Sequence, residues 1–115
     1  MEGKVLTTEF ELYGQKFQAL DGGPIFKFNE SVSFMVDCRD QEEVDYFWAK
    51  LSAVPGSEQC GWCKDKFGVS WQIIPTALGR LLGDKDPRKA QNVMQAMLQM
   101  KKIDIAGLRR AYEQA

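Results

Sequence analysis

Few side chains in this 115-residue chain carry reactive chemistry, and their spacing narrows what that chemistry is. There is no histidine, which removes the commonest general acid/base and the commonest transition-metal ligand. Three cysteines stand at Cys38, Cys60 and Cys63, an odd number that completes no disulfide framework. Cys60-Gly61-Trp62-Cys63 has the spacing of a redox pair, but such a pair wants its first thiol at a helix N-terminus, where the thiolate is stabilised. Here a strand-and-turn pattern follows instead. Zinc needs about four ligands, and Cys38 brings only a third sulfur. The cysteines read as packing or turn residues. No metal site and no cofactor is expected. Cys38 or Cys60 would act as a nucleophile only beside an activating group, and the sequence names none, so no catalytic residue is assigned.

The polar candidates are Ser70 and Gln72. Residues 59–75 read as two short strands joined by a turn at Lys64-Asp65-Lys66-Phe67-Gly68. In the second strand Ser70, Gln72 and Ile74 share one face, and Val69, Trp71 and Ile73 take the other. Ser70 and Gln72 would offer hydrogen bonds to a small ligand. Trp62, Phe34 or Met35 would supply apolar contact, according to which face turns inward. Each of these residues is equally consistent with internal packing.

The elements that would position them follow from periodicity. Lys4 to Leu12 alternates, Tyr13-Gly14-Gln15 turns, and Lys16 to Leu20 returns as a partner strand. Ile25 to Phe28 reads as an edge strand or a loop carrying aromatics. Ser31 to Cys38 is an inner strand with Val32, Phe34 and Val36 on one face and Ser33, Met35 and Asp37 on the other. Asp40 followed by Glu43 forms a capping box for a helix whose stripe is Val44, Phe47, Trp48 and Leu51. Pro75 stops the hairpin ladder, and Thr76 caps a short helix that ends near Gly83. Asp86-Pro87 starts the next helix, with Ala90, Val93, Met94, Met97 and Leu98 as its buried stripe. Asp104 caps a last helix that turns Ile105, Leu108 and Tyr112 inward. The α+β order is two strands, strand-helix-hairpin, then three helices.

Composition sets outer bounds. The length suits a single domain. The charge is balanced, with 15 Lys and Arg against 16 Asp and Glu, which argues against a nucleic-acid partner. No apolar run approaches membrane-spanning length, so no membrane partner is expected and a cytoplasmic location is the default. The glycines at 22, 23, 56, 61 and 68 lack the spacing of a dinucleotide or phosphate loop.

The strand-helix-hairpin unit, the turn at 64–68, and Val69-Ser70-Trp71-Gln72-Ile73-Ile74-Pro75 resemble the PhnB-like family. So do Phe17-Gln18-Ala19-Leu20-Asp21-Gly22-Gly23 and the tail Lys89 to Ile105. That family lies in the glyoxalase/bleomycin-resistance/dioxygenase (vicinal oxygen chelate) superfamily, and some members carry the label 3-demethylubiquinone-9 3-methyltransferase. The resemblance implies an α+β fold of two βαβββ modules around a cavity, commonly in a homodimer. Residues 31–75 would supply one complete βαβββ module, residues 1–28 the last strands of a partial first module, and residues 76–115 a helical C-terminal extension. On that resemblance the opening strand and helix of the first module have no counterpart, so a shortened chain or a second chain completing the sheet is implied. Metal-dependent relatives use histidine and glutamate ligands. Gln72 stands where the late glutamate would be, and Glu9 and Glu11 are consistent with a cavity or a solvated face. The implied function is a small-molecule-binding protein, a homodimer with unassigned enzymatic status. The alternatives are a noncatalytic structural module and a methyltransferase as the family label states.

Overall fold

The computed structural model describes residues 6–114. Lys4 and Val5, the start of the first alternating segment, lie outside them. Strands β1 (Thr7–Leu12) and β2 (Gln15–Leu20) pair antiparallel across Tyr13-Gly14. Both turn residues have positive φ, 50° and 78°. That is the type I′ arrangement, whose twist matches that of the strands it joins. Phe10 stacks on its cross-strand partner Phe17 with ring centroids 5.5 Å apart. Leu6, Phe10 and Leu12 nevertheless remain exposed, because β1 and β2 make their main contacts with one another. The hairpin is an arm: the radius of gyration is 17.8 Å, against about 13 Å for a compact chain of this length, and the long axis reaches 63 Å.

Strand β3 (Ser33–Cys38) begins two residues later than the sequence pattern suggests. The Asn29 side chain accepts from both the amide and the hydroxyl of Ser31, holding that stretch in a turn. Helix α1 (Gln41–Leu51) follows. Asp40 Oδ1 accepts from the Glu43 amide at 2.9 Å, as the capping box requires. Glu43 Oε1 reciprocates on the Arg39 amide at 2.7 Å, one residue upstream of the expected donor. The α1 stripe packs Val44, Phe47, Trp48 and Leu51 onto Cys38, Cys63 and Ile73.

Strands β4 (Trp62–Lys64) and β5 (Ser70–Pro75) complete a three-stranded sheet of order β3-β5-β4, with β3 parallel and β4 antiparallel to the central β5. The class is α+β, as expected, but this unit is β-α-β-β, one strand short of βαβββ. The missing strand shrinks to a single bridge between Gln59 and Trp62. A 3₁₀ turn over Pro55–Ser57 uses up the preceding chain and takes the Glu58 amide to the Pro55 carbonyl. A second type I′ turn, Cys60-Gly61 with φ of 51° and 86°, follows at once.

Helices α2 (Thr76–Leu82), α3 (Pro87–Leu98) and α4 (Ile105–Glu113) enclose a second core of Leu78, Val93, Ile103 and Leu108. Asp86 caps α3 by accepting from the Arg88 amide at 2.9 Å. Two expected caps differ. Pro75 holds the α2 cap position and Thr76 is already helical; Asp104 precedes α4 without a side-chain capping bond. Met94 and Leu98 are exposed rather than buried, since α2 and α4 flank α3 on its Val93 side. The two cores are pinned together by Gln41, which donates to the Ile103 carbonyl at 3.0 Å and accepts from the Ile105 amide at 2.8 Å. Among the described residues no helix is long and apolar enough to cross a membrane.

Candidate ligand pocket

Sheet register sorts the candidate residues onto two faces. Against α1 lie Cys38, Cys63 and Ile73, with Val36 and Trp71 beside them. Cross-strand pairing puts Ser33 opposite Ser70, Met35 opposite Gln72, and Trp62 and Lys64 opposite Gln72 and Ser70. These six form the other face. Ile74, further along that face, packs on the helical core, so the helices close one end of the sheet. At the β4 edge of the sheet lies a hollow of about 540 Å³ whose lining includes Trp62, Cys63, Lys64, Ser70, Cys60 and Glu30.

Ser70, Trp62 and Cys60 thus line one pocket, with Gln72 and Met35 beside it on the same face. Phe34 and Cys38 do not belong to it. They point to the opposite side of β3, because the α1 stripe fixes which face is covered. Phe34 lies against Trp71 at 5.5 Å, and Cys38 is fully buried under α1. Lys64 and Glu30, which sequence reasoning did not single out, also line the pocket, and Ser33 lies beside it on the same face. Ser33 accepts from Gln72 Nε2 at 2.9 Å. Lys64 stands directly across from Ser70 and pairs with Glu30. Alternation along β3 and β4 carried a signal for Ser33 and Lys64; Glu30, on the connecting loop, carried none.

The electrostatics of the pocket are uneven. The Lys64 ammonium is largely sheltered, while Glu30 reaches it from solvent. Its hydrogen bond to Lys64, then the Glu30 backbone amide and the nearby charge, hold the Glu30 carboxyl below its ordinary range. Ser70 is 2 % exposed and its hydroxyl has no hydrogen-bond partner. An orphaned buried hydroxyl costs about 1–3 kcal/mol, which a bound polar group would offset. Asp65 organises the neighbouring turn: it accepts from the amides of Phe67 and Val69 and from Trp71 Nε1 at 2.8, 3.0 and 2.9 Å. Burial pushes its carboxyl up, but the Trp71 indole and the turn amides together hold it below the usual range.

The cysteines separate physically. Cys63 lies buried on the α1 side, whereas Cys60 sits in the type I′ turn with its thiol toward the Leu98 carbonyl at 3.6 Å. Burial pushes the Cys38 thiol up to about 11, with Glu43, Asp37 and Asp40 adding to it. Burial does the same for Cys63, also about 11, helped by Glu58 and Asp65. Only thiolate reacts, so native protein at pH 8 is expected to show one fast-labelling cysteine, Cys60, toward iodoacetamide. Cys38 and Cys63 should react at least about a hundredfold more slowly until denaturant is added. Peptide mapping of a labelling time course checks this, and rapid native labelling of Cys38 would contradict its placement.

The donor set does not fit a divalent cation. Gln72, its nitrogen donated to Ser33, could offer only a neutral amide oxygen, and its cross-strand neighbours Met35 and Trp62 add no hard oxygen. Glu9 and Glu11 lie on the exposed β1. Among the described residues no three His, Cys, Asp or Glu side chains gather.

Residues 1–74 match the model of the 3-demethylubiquinone-9 3-methyltransferase family. A solved structure described as a 3-demethylubiquinone-9 3-methyltransferase, PhnB protein, from Bacillus cereus is 34% identical, with a TM-score of 0.50. The similarity covers 66% of this chain and 68% of that one. No curated protein matches. The family match stops before α2, so the tail Lys89 to Ile105 lies outside it.

Proposed function

The chain belongs to the PhnB-like, 3-demethylubiquinone-9 3-methyltransferase family, and on that premise we propose that the open face of its sheet binds a small molecule. The observation that carries this reading is Ser70: a buried hydroxyl without a partner, bordering a hollow of about 540 Å³. That volume lies in the range of small-ligand sites. Trp62 supplies an apolar wall, and Lys64 a sheltered charge. The relation to the vicinal oxygen chelate superfamily, a cytoplasmic location and a homodimer belong to the same proposal. The projecting hairpin supports the homodimer, because a two-stranded hairpin alone is marginal in water and this one carries exposed Leu6, Phe10 and Leu12.

The same hairpin favours a second reading, a noncatalytic module whose task is assembly. Methyl transfer as the family label states draws no support from the strand-to-helix junctions, which are Arg39-Asp40 and Pro75-Thr76 and hold no glycine. Native mass spectrometry with parallel metal analysis separates these. Dimer with a retained small molecule at about one per subunit is the expected result. Dimer that neither retains nor takes up any small molecule favours the assembly module, and saturable S-adenosylmethionine binding revives the transferase. A stoichiometric metal ion overturns the present reading of Gln72.

A further inference from the structure

We propose that the pocket over β4 and β5 selects small monocarboxylates with a flat apolar body, the ligand carboxylate taking the place of Glu30 on Lys64. This rests on the small-molecule reading above and deepens it. Three observations point the same way. Lys64 and Ser70 are direct cross-strand partners on the pocket face, so an ammonium and a hydroxyl converge where neighbouring side chains meet. Ser70 Oγ is buried and unpartnered, leaving its proton free to donate to a carboxylate oxygen. And the position in front of Lys64 already holds a carboxylate, that of Glu30.

Glu30 is suited to being displaced. Its side chain is 62% exposed against 21% for Lys64, and it belongs to the loop between the hairpin and β3, outside regular structure. An exposed partner contributes little to a pair of this kind, and once released it returns to water. Lys64 has no such freedom, because β4 fixes its backbone against β5. An incoming carboxylate therefore gains the charge-assisted bond to Lys64 and a hydrogen bond from Ser70 that Glu30 does not make. Trp62, half-buried beside them, gives the apolar body a ring face to lie against.

The test uses phenylacetate and its neutral isostere phenylacetamide on the full chain. Binding is read by calorimetry and by the indole Nε1–H resonance of Trp62, assigned with Trp62→Phe. Phenylacetate should bind and shift that resonance, with phenylacetamide about tenfold weaker or more. Lys64→Gln should remove the preference for the anion. Glu30→Gln, an exposed change that leaves folding intact, should tighten phenylacetate severalfold by removing its internal competitor. Ser70→Ala should weaken phenylacetate further than it weakens phenylacetamide. Equal binding of both probes, or no gain in Glu30→Gln, overturns the carboxylate assignment while leaving a ligand pocket standing. Failure of both probes to shift Trp62 in the wild type and in Glu30→Gln overturns the assignment as well, and the retained-ligand measurement then decides the broader reading.

Discussion

Replacing Gly61 with alanine is expected to lower the unfolding free energy by about 2–4 kcal/mol, the sum of a left-handed backbone cost and overpacking. Gly61 has φ of 86°, and a Cβ there would stand 2.8 Å from Ile74 Cδ1, 3.2 Å from Ile103 Cγ1 and 3.3 Å from the Ile73 carbonyl oxygen. The Ile74 terminus can rotate away, but the Ile73 carbonyl is backbone and Ile103 is fully buried. The same turn is the joint between sheet and helices. The Cys60 and Gly61 amides donate to the Met100 and Lys101 carbonyls at 2.7 and 2.8 Å, and the Ile73 amide donates to Gly61. Pushing the turn outward therefore breaks contacts on both sides at once. Urea unfolding followed by tryptophan fluorescence checks this. Gly56→Ala is the control: its Cβ meets nothing within 4 Å, and it should shift stability by no more than about 0.5 kcal/mol. Equal stability of the two variants would refute the role given to the turn.

The second large effect concerns the arm. Phe10→Glu and Leu12→Glu, made separately, are each expected to weaken self-association by at least about a hundredfold. In a two-fold dimer each substitution enters twice, and burying one large apolar side chain is worth about 1.5–3 kcal/mol. Leu12→Glu leaves the Phe10–Phe17 stack in place, so its effect reports on the covered face rather than on hairpin integrity. Glu9→Lys, on the other side of β1, should change little. Sedimentation velocity across a concentration series reads all three. A wild-type protein that stays monomeric at high micromolar concentration, or variants that associate like wild type, would remove the second copy from the proposal.

Much of this architecture was legible because its signals are local. Asp40 and Asp86 fix two helix starts through bonds to amides two or three residues on, and Tyr13-Gly14 fixes a hairpin through its own dihedrals. Alternation in β3 and β5 divided their residues correctly into two faces. It did not say which face α1 would cover, since Phe34, Val36 and Cys38 compete with Met35 only through tertiary packing; candidates from both faces therefore stood side by side until α1 took the side of Phe34 and Cys38. Cys60-Gly61, with the spacing of a redox pair but read as packing or turn residues, forms a tight turn between Gln59 and Trp62. The nominal fourth strand was lost there. The Lys64–Glu30 pair spans 34 positions, a separation at which no local pattern operates. Met94 and Leu98 failed for the converse reason: helical periodicity marks an apolar stripe wider than the neighbours available to bury it.

The detached hairpin divides the meaning of stability for this chain. The sheet and its helices are tied together through Gln41 and the Cys60-Gly61 turn, and a domain of this size is expected to unfold as one cooperative unit described by a single equilibrium constant. The arm has no such internal support. If it is held by another molecule, its closing follows mass action: dilution loosens it and crowding of like chains secures it, while the remainder of the fold is indifferent to either.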